Sequence, residues 1–157
     1  MLERAGVAVC RASSLYRTKA VGPGLQESYY NAVIVAECDL PPAALLRLVK
    51  SFERQAGRRL GRLWGPRPLD IDLIDYKGVA LGKAGRVRTP GQLILPHPEL
   101  HKRSFVLTPL AEAWPSWRHP RKGSGARDLM KRLPMAARGG VGSRLAFPLP
   151  VCEKSST

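Results

Sequence analysis

A rigid turn that leads directly into an apolar, carboxylate-bearing segment constrains this chain more than any other feature. Residues 62–76 read RLWGPRPLDIDLIDY. Glycine and proline interrupt regular structure before residue 69, and the apolar residues after it predict a strand over residues 69–76. Because side chains alternate between the two faces of a strand, Asp70 and Asp72 would point to one side and Leu69, Ile71 and Leu73 to the other. The sequence therefore predicts two adjacent carboxylates above a buried face.

Two carboxylates that face a cleft suit a magnesium ion bound together with a nucleotide. Mg²⁺ takes one or two carboxylates and completes its shell with phosphates and water. Arg62 and Arg67 lie just upstream, and guanidinium groups match the geometry of phosphate oxygens. Trp64 adds a flat surface on which a heterocycle can lie. An Asp-x-Asp pair alone is more often an ordinary solvent-exposed face, so the surrounding residues decide its meaning.

The charge of the chain requires an anionic partner without identifying it. The formal net charge is +14 over 157 residues, and nucleic acid, anionic lipid or a polyphosphate ligand would each complement it. No apolar run reaches the roughly 20 residues of a membrane span. The cysteines are widely spaced and lack the paired spacing of a zinc site or a disulfide framework. We therefore expect a cytoplasmic protein with no membrane partner.

Strand-forming residues and the helical spacing of apolar residues predict a chain that contains both strands and helices. Strands are expected over residues 7–18 and 29–38, and helices over residues 42–56, 104–112 and 126–133. From residue 135 the composition shifts to Gly, Arg, Ser and Pro without periodicity. We therefore predict one domain over residues 1–134, incomplete at its N-terminus, followed by a loose basic tail over residues 135–157.

The string Trp-Gly-Pro-Arg-x-x-Asp-x-Asp at residues 64–72 resembles the signature of the 6-hydroxymethyl-7,8-dihydropterin pyrophosphokinase (HPPK) family of folate synthesis. Further blocks resemble the same family in the same order: SSLYRT from residue 13, YYNA from residue 29, LILPHP from residue 93 and KRSFVL from residue 102. The resemblance implies an α+β fold, namely a ferredoxin-like α/β sandwich with an antiparallel-rich sheet and helices packed on it. Members of the family begin with a strand that ends in a Gly-Ser-Asn turn and is followed by a helix. This chain starts too late to contain either element completely, so we expect an N-terminally truncated version of the fold.

The resemblance also implies a role for each site residue. Asp70 and Asp72 would hold two magnesium ions that bridge the phosphates of ATP, and Arg58 and Arg67 would pair with the transferring phosphates. The nucleotide side would further include Glu53, Arg62, Trp64, Leu73, His97 and Arg103. The pterin would be bound by Thr18, Val21, Tyr29, Asn31, Trp64 and Phe105. For Glu53 the sequence leaves open a plain surface ion pair with Lys50, which is otherwise expected to be solvated.

The implied activity is that of a 2-amino-4-hydroxy-6-hydroxymethyldihydropteridine diphosphokinase. A monomer would transfer pyrophosphate from ATP to the hydroxymethyl group of the pterin and release AMP, with small molecules as its only partners. Two alternatives remain open, namely a truncated or degenerate relative without turnover and a basic nucleic-acid-binding protein. The charge and the arginine-rich tail motivate the second alternative, but no stacking ladder or recognised RNA motif accompanies them.

Overall fold

The computed structural model describes residues 1–19, 28–57, 69–82, 92–138 and 141–146. The chain divides into two compact units, the first comprising Met1 and Asp39–Pro98 and the second comprising Leu2–Cys38 and Glu99–Thr157. The chain enters the second unit twice, at Leu2 and at Glu99, so this unit combines segments that are distant in sequence. The single domain expected over residues 1–134 stays a prediction.

Four antiparallel strands form the first half of the second unit. They are β1 (Ala8–Ala12), β2 (Leu15–Lys19), β3 (Ser28–Asn31) and β4 (Ile34–Glu37). β1 pairs with β4 and β2 pairs with β3, so the two long strands predicted from the sequence are each interrupted. At the interruption the amide of Ser13 donates to the carbonyl of Val33 at 2.8 Å, and the amide of Val33 donates to the Ser13 hydroxyl at 2.9 Å. The serine side chain thus replaces one carbonyl of the ladder.

Helix α1 (Pro42–Gln55) is the main element of the first unit. It begins at proline, which the first turn of a helix tolerates, and it buries Val49 and Phe52. Residues 69–75 form no strand, which differs from the sequence prediction. Further along, Leu81 and Leu95 exchange backbone hydrogen bonds of 2.9 and 3.0 Å, and the Tyr76 hydroxyl donates to the carbonyl of Leu40 at 2.8 Å.

Two helices complete the core of the second unit. They are α2 (Ser104–Ala113), which follows a 3-10 turn at Leu100–Lys102, and α3 (Ala126–Lys131). Leu107 on α2 and Leu129 on α3 are buried, and α2 contacts β1 through β4. The structure confirms the predicted α+β class, with antiparallel strands and helices packed against them. No helix in the described part of the chain has the length and apolar character needed to cross a bilayer.

Two short elements lie in the stretch that the sequence predicts to be a loose tail. They are α4 (Met135–Arg138) and β5 (Val141–Leu145). β5 pairs antiparallel with the edge of β2 that β3 leaves free. Ladder pairing needs no apolar alternation, because backbone groups alone form it. A side chain at Gly142 would meet the carbonyl oxygen of Arg17 at 3.2 Å, so glycine suits this close approach.

Candidate metal, nucleotide and pterin site residues

Asp70 and Asp72 lie in a segment of the first unit in which exposed and half-buried residues alternate from Asp70 to Leu73. Their side chains are 45% and 47% exposed, whereas Ile71 and Leu73 are half-buried. The alternation expected of a strand is therefore present over these four residues, although residues 69–75 form no strand. Leu69 is exposed, whereas the sequence predicts it on the buried face with Ile71 and Leu73. The segment presents two accessible carboxylates separated by one residue.

Side chains of α1 hold the backbone between the two acids. Glu53 is completely buried, and its carboxylate accepts a hydrogen bond of 2.7 Å from the amide of Ile71 and one of 2.6 Å from the ammonium of Lys50. Lys50 also donates to the carbonyl oxygen of Ile71 at 3.1 Å and lies 3.9 Å from Asp70. Both backbone polar groups of Ile71 are therefore satisfied without a neighbouring strand.

This arrangement corrects the solvated role that the sequence predicts for Lys50. The ion pair with Glu53 is formed, but Glu53 is buried rather than at the surface, and the Lys50 side chain is 33% exposed. The three-residue spacing on a helix was the signal for the pair. The burial of Glu53 could not be predicted from one sequence, because it depends on contacts between α1 and residues 18 or more positions further along the chain.

His97 lies beside the second acid. Its amide donates to the carbonyl of Ile74 at 2.8 Å, and its Nε2 is 3.9 Å from a carboxylate oxygen of Asp72. The histidine is 8% exposed. The first unit thus brings together four residues that the sequence assigns to the metal and nucleotide, which are Glu53, Asp70, Asp72 and His97. Another residue assigned to the nucleotide, Leu73, belongs to the same segment as the two acids and is half-buried.

The donor chemistry of the two acids fits magnesium. Within the described ranges, no group of three or more His, Cys, Asp or Glu side chains is arranged to hold a metal ion by itself. Mg²⁺ rarely needs such a cage, because it keeps several waters and takes further ligands from substrate phosphates. Asp70 and Asp72 offer accessible carboxylate oxygens of the kind that this ion prefers.

In the second unit, a hydrogen bond joins Thr18 and Asn31 across β2 and β3. The Asn31 amide nitrogen donates to the Thr18 hydroxyl at 2.7 Å, and this hydroxyl makes a longer contact of 3.4 Å with the carbonyl of Tyr29. Thr18 is paired with Tyr29 in the ladder, so the three side chains share one face of the strands. Thr18 is buried and Tyr29 is 50% exposed. Three of the residues assigned to the pterin are therefore neighbours.

Arg103 and Phe105 are in contact at the start of α2. The guanidinium carbon lies 5.8 Å from the centroid of the phenyl ring, within the range of a cation–π interaction. Both side chains are half-buried. The sequence assigns Arg103 to the nucleotide and Phe105 to the pterin, and the structure places the two side by side.

Five of the assigned residues lie outside the described residues: Val21, Arg58, Arg62, Trp64 and Arg67. Val21 belongs to the set assigned to the pterin, and Trp64 is assigned to both the pterin and the nucleotide. The three arginines are assigned to phosphate and nucleotide contacts. All five roles stay predictions.

The structure contains a polar cluster centred on Glu112 that the sequence did not predict. Its carboxylate accepts hydrogen bonds from the hydroxyls of Ser14 and Tyr16 at 2.8 and 2.6 Å and from the guanidinium of Arg144 at 2.9 Å. Arg144 also donates to the Ser14 hydroxyl at 2.8 Å. Ser14 and Glu112 are 98 positions apart in the sequence. No spacing in a single sequence could therefore have revealed the cluster.

The cluster shifts the pKa of two of its members. Partial burial by itself would raise the pKa of Glu112, but the hydrogen bonds from the two hydroxyls and the charge of Arg144 outweigh it, so this pKa is lowered. Burial raises the pKa of the Tyr16 phenol, and the hydrogen bond to Glu112 and the negative charge of that carboxylate raise it further. The cluster therefore favours an ionised carboxylate and a protonated phenol.

Comparisons with known proteins agree on one family. A sequence profile described as 7,8-dihydro-6-hydroxymethylpterin-pyrophosphokinase (HPPK) matches residues 1–115. The chain is 39% identical over 133 residues to a 2-amino-4-hydroxy-6-hydroxymethyldihydropteridine pyrophosphokinase of Synechocystis sp., which is 85% of this chain and 64% of that protein. It is 37% identical over 110 residues to the Bacillus subtilis protein of the same name, 70% of this chain and 62% of that one.

A plant protein is also similar over part of its length. The chain is 39% identical over 113 residues to the mitochondrial folate synthesis bifunctional protein of Arabidopsis thaliana, which is 71% of this chain and 19% of that protein. The chain thus spans less than two thirds of the length of each of these three relatives.

Proposed function

This chain belongs to the 7,8-dihydro-6-hydroxymethylpterin-pyrophosphokinase family, and we propose that it transfers pyrophosphate from ATP to 6-hydroxymethyl-7,8-dihydropterin in folate biosynthesis. In this reaction the hydroxymethyl oxygen forms a bond to the β-phosphorus of ATP, the bond between that phosphorus and the bridging oxygen to the α-phosphate breaks, and AMP leaves. The hydroxyl proton passes to solvent. No covalent enzyme intermediate is required.

One observation carries this proposal, namely the pair of accessible carboxylates on a backbone that α1 holds in place. Asp70 and Asp72 are nearly half exposed, while the amide of the residue between them is bound by the buried Glu53 at 2.7 Å. A fixed backbone beneath exposed acids supports a role in positioning, because catalysis of phosphoryl transfer depends mainly on placement and charge. We therefore assign Asp70 and Asp72 to two magnesium ions that accompany ATP.

When bound, the magnesium ions would offset the charge of the triphosphate and draw electron density from the phosphorus under attack. Asp70 and Asp72 would orient the polyphosphate through these ions. His97, whose Nε2 lies 3.9 Å from Asp72, would contact the nucleotide beside them. Arg58 and Arg67 would pair with the transferring phosphates, because guanidinium groups form two parallel hydrogen bonds with phosphate oxygens.

The pterin would bind against the shared face of β2 and β3. The Asn31 side chain offers both a donor and an acceptor to the edge of a heterocycle, and its bond of 2.7 Å to Thr18 fixes its orientation. The exposed ring of Tyr29 and the ring of Phe105 provide flat apolar surfaces for stacking. Val21 and Trp64 complete the proposed set.

Turnover by the purified chain tests the proposal. AMP release is measured with ATP, Mg²⁺ and 6-hydroxymethyl-7,8-dihydropterin, alongside a longer relative such as the Bacillus subtilis enzyme as a positive control. Pterin-dependent AMP release by this chain supports the proposal. If the control is active and this chain releases no AMP, the chain does not carry the activity, and calorimetry with a non-hydrolysable ATP analogue then tests for a relative that binds without turnover.

Some features of the proposal come from the sequence and the family alone. A monomeric state, a cytoplasmic location and the absence of a nucleic-acid partner stay predictions. Size-exclusion chromatography with light scattering would test the first of these.

A further inference from the structure

A cavity of about 550 Å³ lies in the second unit among α2, α3, α4, β2 and β5. Its volume is within the range typical of small-molecule sites, about 300–1,000 Å³. Among the described residues, none of those assigned to the metal, the nucleotide or the pterin lines it. Its lining residues are Tyr16, Thr108, Ala111, Glu112, Arg127, Met130, Lys131, Arg138 and Arg144.

Positive charge exceeds negative charge in the cavity wall. The described part of the wall contains Arg127, Lys131, Arg138 and Arg144 but a single carboxylate, Glu112. Arg144 lies 2.9 Å from that carboxylate and neutralises it. Three cationic side chains therefore remain for which the described residues of the wall supply no compensating acid.

These three cations differ in how they are held. The guanidinium of Arg138 donates to the backbone carbonyls of Leu133 and Lys131, which fix its position without neutralising its charge. Among the described residues, the side chains of Arg127 and Lys131 make no hydrogen bond or ion pair. They are four positions apart on α3, so they lie on the same side of the helix. The cavity is therefore bordered by one cation that is held in place, Arg138, and by two whose side chains make no bond within the described chain, Arg127 and Lys131.

The remaining wall is partly apolar. Ala111 is buried and Met130 is half-buried, and the Thr108 hydroxyl donates to the Met130 sulfur at 3.3 Å. Tyr16 contributes a ring that is 9% exposed. A ligand that fills this space needs carbon atoms for the apolar wall as well as charge for the cations.

We propose that this cavity binds a small organic anion with two or more negative groups. Its carboxylates or phosphates would pair with Arg127, Lys131 and Arg138, and its carbon skeleton would lie on Ala111 and Met130. Guanidinium and ammonium groups bind both kinds of anion, so the shared chemistry is a compact organic polyanion. This site is separate from the residues of the proposed pyrophosphokinase reaction and does not depend on that activity.

Calorimetry on the full chain tests the proposal in a buffer free of divalent metal. The probes are citrate, which carries only carboxylates, and methylenebisphosphonate, which carries only phosphonates. The test variant is Arg127→Gln/Lys131→Gln. The control variant, Arg11→Gln/Lys122→Gln, removes the same charge from exposed residues of the same unit outside the cavity. Thermal denaturation checks that both variants fold like the wild type.

We expect at least one probe to bind the wild type, with affinity reduced about tenfold or more in the cavity variant and changed by less than about twofold in the control. The probe that binds identifies carboxylate or phosphate as the preferred group. If neither probe binds the wild type, or if both variants lose affinity equally, the proposal is overturned. It is also overturned if a random DNA duplex binds the wild type more tightly than either probe and loses affinity only in the cavity variant, because the cations would then form part of a nucleic-acid surface.

Discussion

The buried carboxylate of Glu53 accepts a hydrogen bond of 2.7 Å from the backbone amide of Ile71, the residue between Asp70 and Asp72. A helix side chain therefore satisfies a backbone group that a neighbouring strand would satisfy in a sheet. Lys50 completes the arrangement from one turn earlier on α1, since it bonds both Glu53 and the carbonyl of Ile71. The position of the two acids depends on this contact.

Replacement of Glu53 by alanine is expected to destabilise the protein by about 2–4 kcal/mol, because the amide of Ile71 and the ammonium of Lys50 would lose their buried acceptor. Glu53→Gln should have an intermediate effect, since a glutamine oxygen can still accept from the amide. Urea unfolding measures both. Arg54→Ala, at the next and exposed position of α1, is the control and should change stability by less than about 1 kcal/mol. Equal effects of the Glu53 and Arg54 variants would contradict the structural role.

Replacement of Asn31 by alanine is expected to weaken pterin binding by about tenfold to a hundredfold, because a paired donor and acceptor would be lost at the edge of the ring. Nucleotide affinity should be unchanged. Fluorescence titration with the pterin and calorimetry with an ATP analogue measure the two separately. Tyr30→Phe is a suitable control, because Tyr30 is exposed and adjacent to Asn31 but faces the opposite side of β3. A loss of pterin affinity in both variants would count against the assignment.

The lowered pKa of Glu112 predicts a contribution to stability that depends on pH. A carboxyl group whose pKa is lower in the folded state stabilises the fold above its unfolded pKa, about 4.3, and this contribution is lost as the pH falls through the folded pKa. The difference in unfolding free energy between the wild type and Glu112→Gln should therefore be larger at about pH 6 than at about pH 3. Urea unfolding at both values measures it, and a difference independent of pH would refute the prediction.

The raised pKa of Tyr16 predicts a late titration of one phenol. The hydrogen bond to Glu112 is present below the unfolded pKa of about 10 and is lost as the pH rises through the higher folded pKa, so it stabilises the fold on the acidic side. An ultraviolet titration should therefore show a phenol that ionises above the ordinary tyrosine pKa of about 10. That late step should disappear in Tyr16→Phe. A wild-type titration without a late step would contradict the shift.

Sequence patterns predicted most of the elements but not their limits. The periodicity of α1 was clear because apolar residues recur at helical spacing, and α2 was predicted as a buried helix from its apolar residues. The β strands were predicted as two long runs, and their interruption at Ser13 and Val33 was missed because a side-chain bond replaces a ladder bond there. β5 was missed because its residues lack apolar alternation, and its pairing with β2 uses backbone groups that every residue carries.

The features of the candidate site also divide into those that the sequence predicted and those that it did not. Local spacing was sufficient to propose Asp70 and Asp72 as neighbours and to pair Lys50 with Glu53. Contacts between distant segments were not accessible, such as the burial of Glu53 against residues 69–75 and the cluster around Glu112. A single sequence gives the chemistry of each residue and its nearest neighbours, whereas these contacts require the folded chain.

Magnesium-dependent nucleotide binding tests the central claim, that Asp70 and Asp72 hold the metal ions that accompany ATP. Calorimetry with α,β-methylene-ATP, with and without Mg²⁺, compares the wild type with Asp70→Asn and Asp72→Asn. Asp75→Asn is the matched control, because Asp75 belongs to the same segment and accepts a hydrogen bond from the amide of Gly78 at 2.9 Å, which an asparagine oxygen preserves. We predict that Mg²⁺ tightens binding about tenfold or more in the wild type and in the control but has little effect in the other two variants. An equal effect of Mg²⁺ in all four proteins, or none in the wild type, would contradict the account.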